Sequence, residues 1–554
     1  MKFYCPCLGL VDVTSAKLRS RFSILLHAYF TIMTKTLRLF CLTVITTSLM
    51  VFGSDAYAIV GATTPFTSME AESGSLGGGA IVRSLAAPPT TQFMSPEIEA
   101  SGRAFVELKG TGQSVTWTNN TGSNCTAINL RFSIPDATNG GGTSASLSLY
   151  IDGVFRQGIF LSSTQTWLYE NASDYNSNNQ NPTNGNPHLF YDETHFFISG
   201  AAVAPGGKIT LQQDLTNTAA FYWLDVIDLE NPPPPLTQPA NSLAITNATY
   251  GAVPNNAGFD STAAIQSCIN AAQSQGKSVW IPPGTYYLKT TAGLTATGIT
   301  IQGAGVWYSM IYRNVPLPNA TPLAAILSMT SCTARNISLD ANAPSRATVD
   351  DDGGGVDIGG SNWLMENFWI QHTSSGFWAS GINGIVRNCR IDNTWGDGVN
   401  LNNVSMGGSI GINLSAYNNF VRGAGDDGVT INSVYTNGAT MYTEMSNTTL
   451  SNNTTICIWW AHGLGVYGGI NDVIRDNLLC DPSKNVWHGH HGIWTKRLNA
   501  GFSLGAGKRY FAWRRQRLQP AAARPFNRRE RWQTIYRQRG DPVKHHHQCH
   551  VFWC

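Results

Sequence analysis

Charged side chains are scarce in this chain, at 13% of its 554 residues, which disfavours salt-laced helical bundles. Beyond an N-terminal leader no apolar run approaches the ~20 residues that cross a bilayer as a helix, so nothing after the leader reads as a membrane span. Between the leader and the Arg-rich end of the chain, closely paired cysteines are missing as well. Cys125, Cys268, Cys332, Cys389, Cys457 and Cys480 lie far apart, without metal-ligand spacing. Their pairing stays open, because export permits disulfides and buried free thiols fit equally.

What abounds is glycine, 55 residues, with Asn, Thr and Ser throughout, the composition of turn-rich β architecture. The length allows two or three domains with separate cores. A net charge of +2 conceals a divide. Residues 497–554 hold eleven Arg and two Lys against Glu530 and Asp541, a net +11, which leaves −9 for everything before them. From Met33 the chain reads as a secretory signal: Lys35 and Arg38, an apolar stretch from Leu39 to Phe52, then a small-x-small cleavage site at Ala56-Tyr57-Ala58. Residues 1–58 are therefore expected to be leader, with Met33 the start and the cell exterior the destination.

Short alternating runs fill residues 59–230, among them Val106 to Leu108, Ile128 to Phe132, Ala145 to Gly153 and Lys208 to Gln212, and fit a β-sandwich. Residues 231–240, with four consecutive prolines, form a stiff linker. From 241 to 486 the pattern changes. Asp260 is placed to cap a helix through Ala263, Ile265, Cys268, Ile269 and Ala272, which Gly276 ends. After it, short apolar strands each carry an asparagine: Asn336, Asn367, Asn388, Asn419, Asn447 and Asn477. No helical pattern intervenes, so each unit reads as one coil of a parallel β-helix. The fold class is all-β, an N-terminal sandwich followed by the solenoid.

Two neighbouring coils carry like segments, Gly396-Asp397-Gly398-Val399 and Gly425-Asp426-Asp427-Gly428-Val429. Stacked coils place equivalent positions ~4.8 Å apart, so Asp397 is expected beside Asp426 or Asp427. A regular strand turns only one of that pair to the groove, unless the glycines permit a bulge. Carboxylates so close repel one another, and at least one keeps a proton at neutral pH. An acid beside a base is what glycosidic hydrolysis requires. A lone Gly-Asp-Gly more often caps a turn or binds Ca²⁺; its repetition on adjacent coils favours catalysis. One coil further on, His462 can bond a carboxylate or a sugar hydroxyl. Trp395, Trp459, Trp460 and Tyr467 offer flat faces to pyranose rings, although core packing is the commoner role of any single aromatic.

The stretch from Asn241 to Asp481 resembles glycoside hydrolase family 87, the α-1,3-glucanases and mycodextranases. The resemblance is carried by Gly251-Ala252-Val253, Asp260 to Gln266, Trp280 to Tyr286, Ile301 to Trp307, Trp369 to His372, Gly396 to Leu401 and Gly425 to Gly428. It implies a right-handed parallel β-helix and inverting hydrolysis of α-1,3-glucan or mixed α-1,3/α-1,4-glucan, with Asp397, Asp426 and Asp427 catalytic and no cofactor in the chemistry. His462-Gly463-Leu464 is similar to a polygalacturonase segment, which makes pectin hydrolysis the runner-up. A glucan-binding protein without turnover is the third reading. A lyase is disfavoured, since Arg387, Arg390 and Arg422 are scattered. Residues 59–230 resemble carbohydrate-binding modules of family 35 or 6 through Met69 to Ser73, Ala100 to Glu107, Leu149 to Gly153 and Trp223 to Asp228. That resemblance implies a structural Ca²⁺ held by Glu70, Glu72 and Asp225. The expected partner is a polysaccharide; nucleic acid and, after signal cleavage, membrane are not, and a monomer is expected.

The coil pattern stops near Val486. Residues 487–554 show no Asn-led coils, and shifting the back-translated Trp487 to Gly492 by one base restores a coil-like product. The tail is therefore read as frameshifted and disordered, and the β-helix as lacking its last coils. A nucleic-acid arm, or a metal site at His545-His546-His547, suits an exported enzyme less well, because three adjacent histidines have no fixed ligand geometry.

Overall fold

The computed structural model describes residues 60–482 except 86–94, 171–179, 184, 316–323, 346–353, 405–409 and a few positions between 434 and 442, together with strands at 502–504, 511–515, 532–536 and 548–553. The signal segment, Trp487 to Arg497 and His545 to His547 lie outside the described residues. The described parts of the tail are strands. Phe502–Leu504 pairs in parallel with Leu464–Tyr467, and Gln548–Trp553 with Val473–Cys480. Among the described residues no helix is long and apolar enough to cross a membrane.

The sandwich follows from period-two alternation. One sheet has five antiparallel strands, in the order Ser75–Gly77, Ser114–Thr118, Lys208–Gln212, Ser144–Ile151, Val154–Ser162. The other has six and is centred on Tyr222–Glu230, which pairs with Phe66–Glu70, Ala104–Leu108 and Ala127–Ser133. Val115, Leu147, Leu149, Ile209 and Leu211 of the first sheet pack against Val106, Leu130, Leu224, Ile227 and Leu229 of the second. The linker is exposed but tethered: Leu236 N–H donates to Ala304 O at 2.9 Å and Tyr308 Oη to Pro233 O at 2.8 Å.

The solenoid opens with the helix Thr262–Gln275, which buries Ile265, Cys268, Ile269 and Ala272 over the first coils. Its N-cap is Ser261, and Asp260 acts one residue earlier by accepting Thr262 N–H and Oγ1–H. Gly276 ends the helix in the left-handed conformation, φ 60°. Beyond it, parallel strands stack coil on coil; one sheet runs Leu294–Thr297, Leu327–Thr330, Val356–Gly359, Phe377–Ala379, Val399–Asn402, Val429–Asn432, Leu464–Tyr467. Apolar side chains point inward into a single core.

The asparagines expected as one repeat belong to different ladders. Asn336, Asn367, Asn388 and Asn447 stand at coil corners with positive φ, which Asn tolerates better than most residues. Asn367 Nδ2 donates to Asn336 Oδ1 at 2.7 Å, and Asn418 Nδ2 to Asn388 Oδ1 at 2.8 Å. Asn419 and Asn477 instead flank Asn453 inside the coil stack, all three fully buried. There Asn453 Oδ1 accepts Asn419 Nδ2–H at 3.0 Å, and Asn453 Nδ2 donates to Asn477 Oδ1 and Ala416 O, both at 2.9 Å. Asn453→Ala orphans several buried groups and should cost roughly 3 kcal/mol or more. Asn418→Ala, at a half-buried corner, should cost about 1 kcal/mol, mainly from its backbone conformation. Urea unfolding of the two variants compares them, and equal losses would refute the buried ladder's special weight.

Candidate active site

Four consecutive strands of the Val399–Asn402 sheet are each preceded by a glycine: Gly376, Gly398, Gly428, Gly463. A Cβ on any of the first three would collide with the carbonyl oxygen of the glycine on the next coil, so close stacking requires glycine there. The residue before each glycine falls in one vertical row. Gly376 N–H bonds Asp397 O, Gly398 N–H bonds Asp427 O, and Gly428 N–H bonds His462 O, all at 2.8–2.9 Å. Ser375, Asp397, Asp427 and His462 are thus equivalent positions. The register makes Asp427 the counterpart of Asp397, with Asp426 at its shoulder.

All three aspartates converge. One carboxylate oxygen from each lies within 4.8 Å of the others, and among the described residues this is the one such gathering of three potential ligand groups. Asp397 and Asp426 are half-buried, Asp427 buried. Asp397 Oδ1 accepts Asp427 N–H at 2.8 Å, and Asn400 Nδ2 donates to Oδ2 at 2.6 Å. Burial, then the charges of Asp426 and Asp427, push the Asp397 carboxyl well above its ordinary range. That shift favours the protonated form of Asp397. His462 bonds Asp427 Oδ1 through both its backbone N–H and Nδ1, each at 3.1 Å. Tyr467 Oη lies 3.3 Å from that Nδ1, and burial followed by Asp427 holds its phenol protonated. Gly465 leaves the space that the Asp427 carboxylate fills. Asn400, which orients Asp397, stands three residues after it in the strand that follows, and that short spacing is its signal in the sequence.

Two of the expected sugar platforms are not at the surface. Trp395 and Trp459, 4% and 3% exposed, pack with Leu168 and Phe190 of the sandwich and Ala343 of the solenoid. Phe190 lies 5.6 Å from the Trp395 ring and 4.8 Å from that of Trp459, and Trp395 Nε1 donates to Ala343 O. These indoles join the domains and are corrected to packing residues; Trp460 is partly buried against the same cluster. Tyr467 and His462 do border the carboxylates.

The expected Ca²⁺ set also fails to assemble. Asp225 is fully buried and already has a cation, since Arg131 Nη1 ion-pairs with it, and its other oxygen accepts Ser101 N–H at 3.0 Å. Glu70 accepts Ser101 Oγ–H, while Glu70 Oε2 and Glu72 Oε2 are buried without partners. Burial raises the Glu70 carboxyl and lifts Glu72 to about 7. Among the described residues, Glu70, Glu72 and Asp225 do not bring one carboxylate oxygen each within 4.8 Å of the others. Five of the six core cysteines are free and buried.

Arg390 and Arg422, scattered in sequence, meet at one buried seam. The strand pairing sets Arg390 beside Phe420 and Asp392 beside Arg422, and both guanidinia reach across to the sandwich. Arg422 Nε and Nη2 fork onto Glu193 at 2.5 and 2.7 Å, and Nη2 also meets Asp228 at 2.7 Å. Arg390 binds Asp228 and, at 2.9 Å, Asp392. Nearby, His372 bridges Asp192 of the sandwich at 2.8 Å and Asp340 of the solenoid at 3.1 Å. Against the downward push of burial, those two carboxylates hold it well above the usual imidazole range, as a cation.

Carboxylates gathered on consecutive coils of a parallel β-helix suit the acid and base chemistry of glycoside hydrolases. A model described as α-1,3-glucanase catalytic domain D1 matches residues 63–232, and its companion, catalytic domain D2, matches residues 258–488. The chain belongs to the α-1,3-glucanases of glycoside hydrolase family 87. It is 29% identical to the Agl-KA catalytic domain, covering 78% of this chain and 74% of that one, with a TM-score of 0.68. A family 87 α-1,3-glucanase catalytic domain in complex with nigerose is 25% identical over 76% of this chain and 70% of its own, with a TM-score of 0.63. The catalytic unit of the thermostable enzyme from Streptomyces thermodiastaticus strain HF3-3 is 29% identical over 76% and 69%, with a TM-score of 0.60. No curated protein matches. The family places the sandwich within the catalytic unit, in agreement with the buried seam that fastens it to the solenoid.

Proposed function

We propose that this chain is exported and hydrolyses α-1,3-glucosidic bonds of polysaccharide, with Asp397, Asp426 and Asp427 dividing the acid and base work. The observation that carries this reading is the convergence of the three carboxylates within 4.8 Å on adjacent coils, in a chain whose relatives are solved with nigerose and tetrasaccharides. A carboxylic acid of the trio gives its proton to the glycosidic oxygen as the C–O bond breaks. A second carboxylate takes a proton from the water that attacks the anomeric carbon, so the trio ends with as many protons as it began. His462 and Tyr467 hold Asp427 in place.

Pectin is less suited. A carboxylated polymer calls for cations, whereas Arg390 and Arg422 face the sandwich and are paired with Glu193 and Asp228. Reducing-sugar release from α-1,3-glucan and from polygalacturonate checks the choice: glucan alone should react, and activity confined to pectin would overturn the proposal. The family resemblance implies inversion. The short spacing of the nearest carboxylate oxygens, below the ~6.5–9.5 Å usual for inverters, favours retention as the second reading. Proton NMR of the first product decides: β-anomer indicates inversion and α-anomer retention.

A further inference from the structure

Three segments of the solenoid lead into the candidate site, and the sandwich grips each of them just before the group it carries. Asn393, in the segment that leads to Asp397, donates from Nδ2 to Asp192 at 3.0 Å. Arg422, in the segment that leads to Asp426, forks onto Glu193. Trp395, shortly before Asp397, and Trp459, shortly before His462, both pack on Phe190. Phe190, Asp192 and Glu193 lie together where the strand Asp192–Phe197 begins, so one short stretch of the sandwich reaches all three coils.

Phe190 is where these contacts converge. It is 6% exposed and lies against both indoles, whose rings are 6.2 Å apart. Its own domain anchors it: the His188 ring stands at 4.0 Å, and Phe190 N–H donates to Thr166 O at 2.7 Å. The indoles are tied in turn to the backbone of the site. Trp395 N–H donates to Thr373 O at 2.8 Å, and Trp459 N–H to Ala424 O at 3.0 Å. Gly425, immediately before Asp426, is wedged between them, since a Cβ there would collide with Trp395 O and with the Trp459 ring. Gly425 N–H and Asp426 N–H both donate to Gly396 O at 3.0 Å, which fastens the backbone next to Asp397 to that of Asp426. In so close-packed an arrangement, a displacement of either indole is passed through one glycine to the aspartates.

We propose that Phe190 is a positioning residue for the reaction, a sandwich side chain that sets the spacing of the solenoid carboxylates through Trp395 and Trp459. An acid and a base moved by an ångström lose much of their effect on the rate, while the sugar still binds. The cavity beside this contact sharpens the dependence. It is lined in part by Phe190, Asn393, Thr394, Trp395 and Trp459, so a smaller side chain at position 190 gives the indoles room to shift. The proposal rests on hydrolysis by Asp397, Asp426 and Asp427.

In the full chain, Phe190→Leu should lower kcat on a soluble α-1,3-gluco-oligosaccharide about threefold and Phe190→Ala about tenfold, with KM within about twofold of the parent. Leu147→Ala, in the sandwich core, is the comparison. It should cost stability and leave kcat unchanged, all variants being assayed well below their unfolding midpoints. Parental kcat in Phe190→Leu, a loss expressed in KM alone, or an equal loss of kcat in Leu147→Ala would overturn the proposal; the leucine variant decides even if the alanine variant does not fold. A second readout needs no turnover. Asp397 is faced by Asp426, Asp427 and Tyr467. Carboxylates that relax apart repel less, so the stability difference between the Asp397 and Asp397→Asn chains should vary less from pH 4 to pH 8 in a Phe190→Leu background. An unaltered pH dependence would overturn the positioning role even in a parent that cleaves nothing, whereas failure of the parent to cleave the oligosaccharide counts against the hydrolase reading alone.

Discussion

Asparagine at Asp397, Asp426 or Asp427 should lower hydrolysis of a soluble α-1,3-gluco-oligosaccharide by roughly 10²–10⁴-fold, the usual contribution of a positioned acid or base, while oligosaccharide binding persists. Asp397→Asn carries a second expectation. Burial and the adjacent charges raise the wild-type carboxyl far above its unfolded value of about 3.9. The folded wild type therefore holds a proton that the unfolded chain releases, and it loses stability as pH rises above about 4. An asparagine has no such charge to bury, so the stability difference should move in the variant's favour between pH 4 and pH 8. Urea unfolding at several pH values measures it. Full activity in any of the three variants would remove that residue from the mechanism, and a stability difference independent of pH would refute the elevated carboxyl.

Arg422→Ala should be the most destabilising single change in the molecule outside the apolar core. Arg422 is 1% exposed and is shared by Glu193 and Asp228, themselves buried. Its removal leaves two desolvated carboxylates with Arg390 and, 3.8 Å from Glu193, Arg131 Nε as their remaining cations, a loss of about 3–5 kcal/mol. Against the upward push of burial, Arg422 and Arg390 hold both carboxyls below their ordinary range. In the wild type that stabilisation is present above about pH 4 and disappears as pH falls further. In the variant the unpaired carboxyls regain protons, so the deficit should be largest near pH 7 and shrink toward pH 4. A deficit under 1 kcal/mol at pH 7 would mean that the seam contributes little to holding sandwich and solenoid together.

The clustered carboxylates were legible because a solenoid turns sequence repetition into spatial adjacency. Asp397-Gly398-Val399 and Asp427-Gly428-Val429 repeat the same pattern, and the coil spacing brings them together. The tryptophans were not legible: an indole beside a catalytic segment looks the same whether a sugar or Phe190 covers it. Nor were Arg390 and Arg422, whose partners lie 162 and 229 residues away. The asparagines were half legible, since their repetition showed coils but not which stood at corners and which lay within.

Local rules in the chain itself determined the alternating sandwich strands, the capped helix, the coil repeat and the row of aspartates, because each depends on neighbours in sequence or on a fixed repeat. Only the tertiary structure decided which face of the sandwich meets the solenoid, which aromatics that contact buries, and that Arg131 is the cation beside Asp225. Those outcomes depend on pairings between distant segments, and the energy of a buried charge is set by whatever is brought against it.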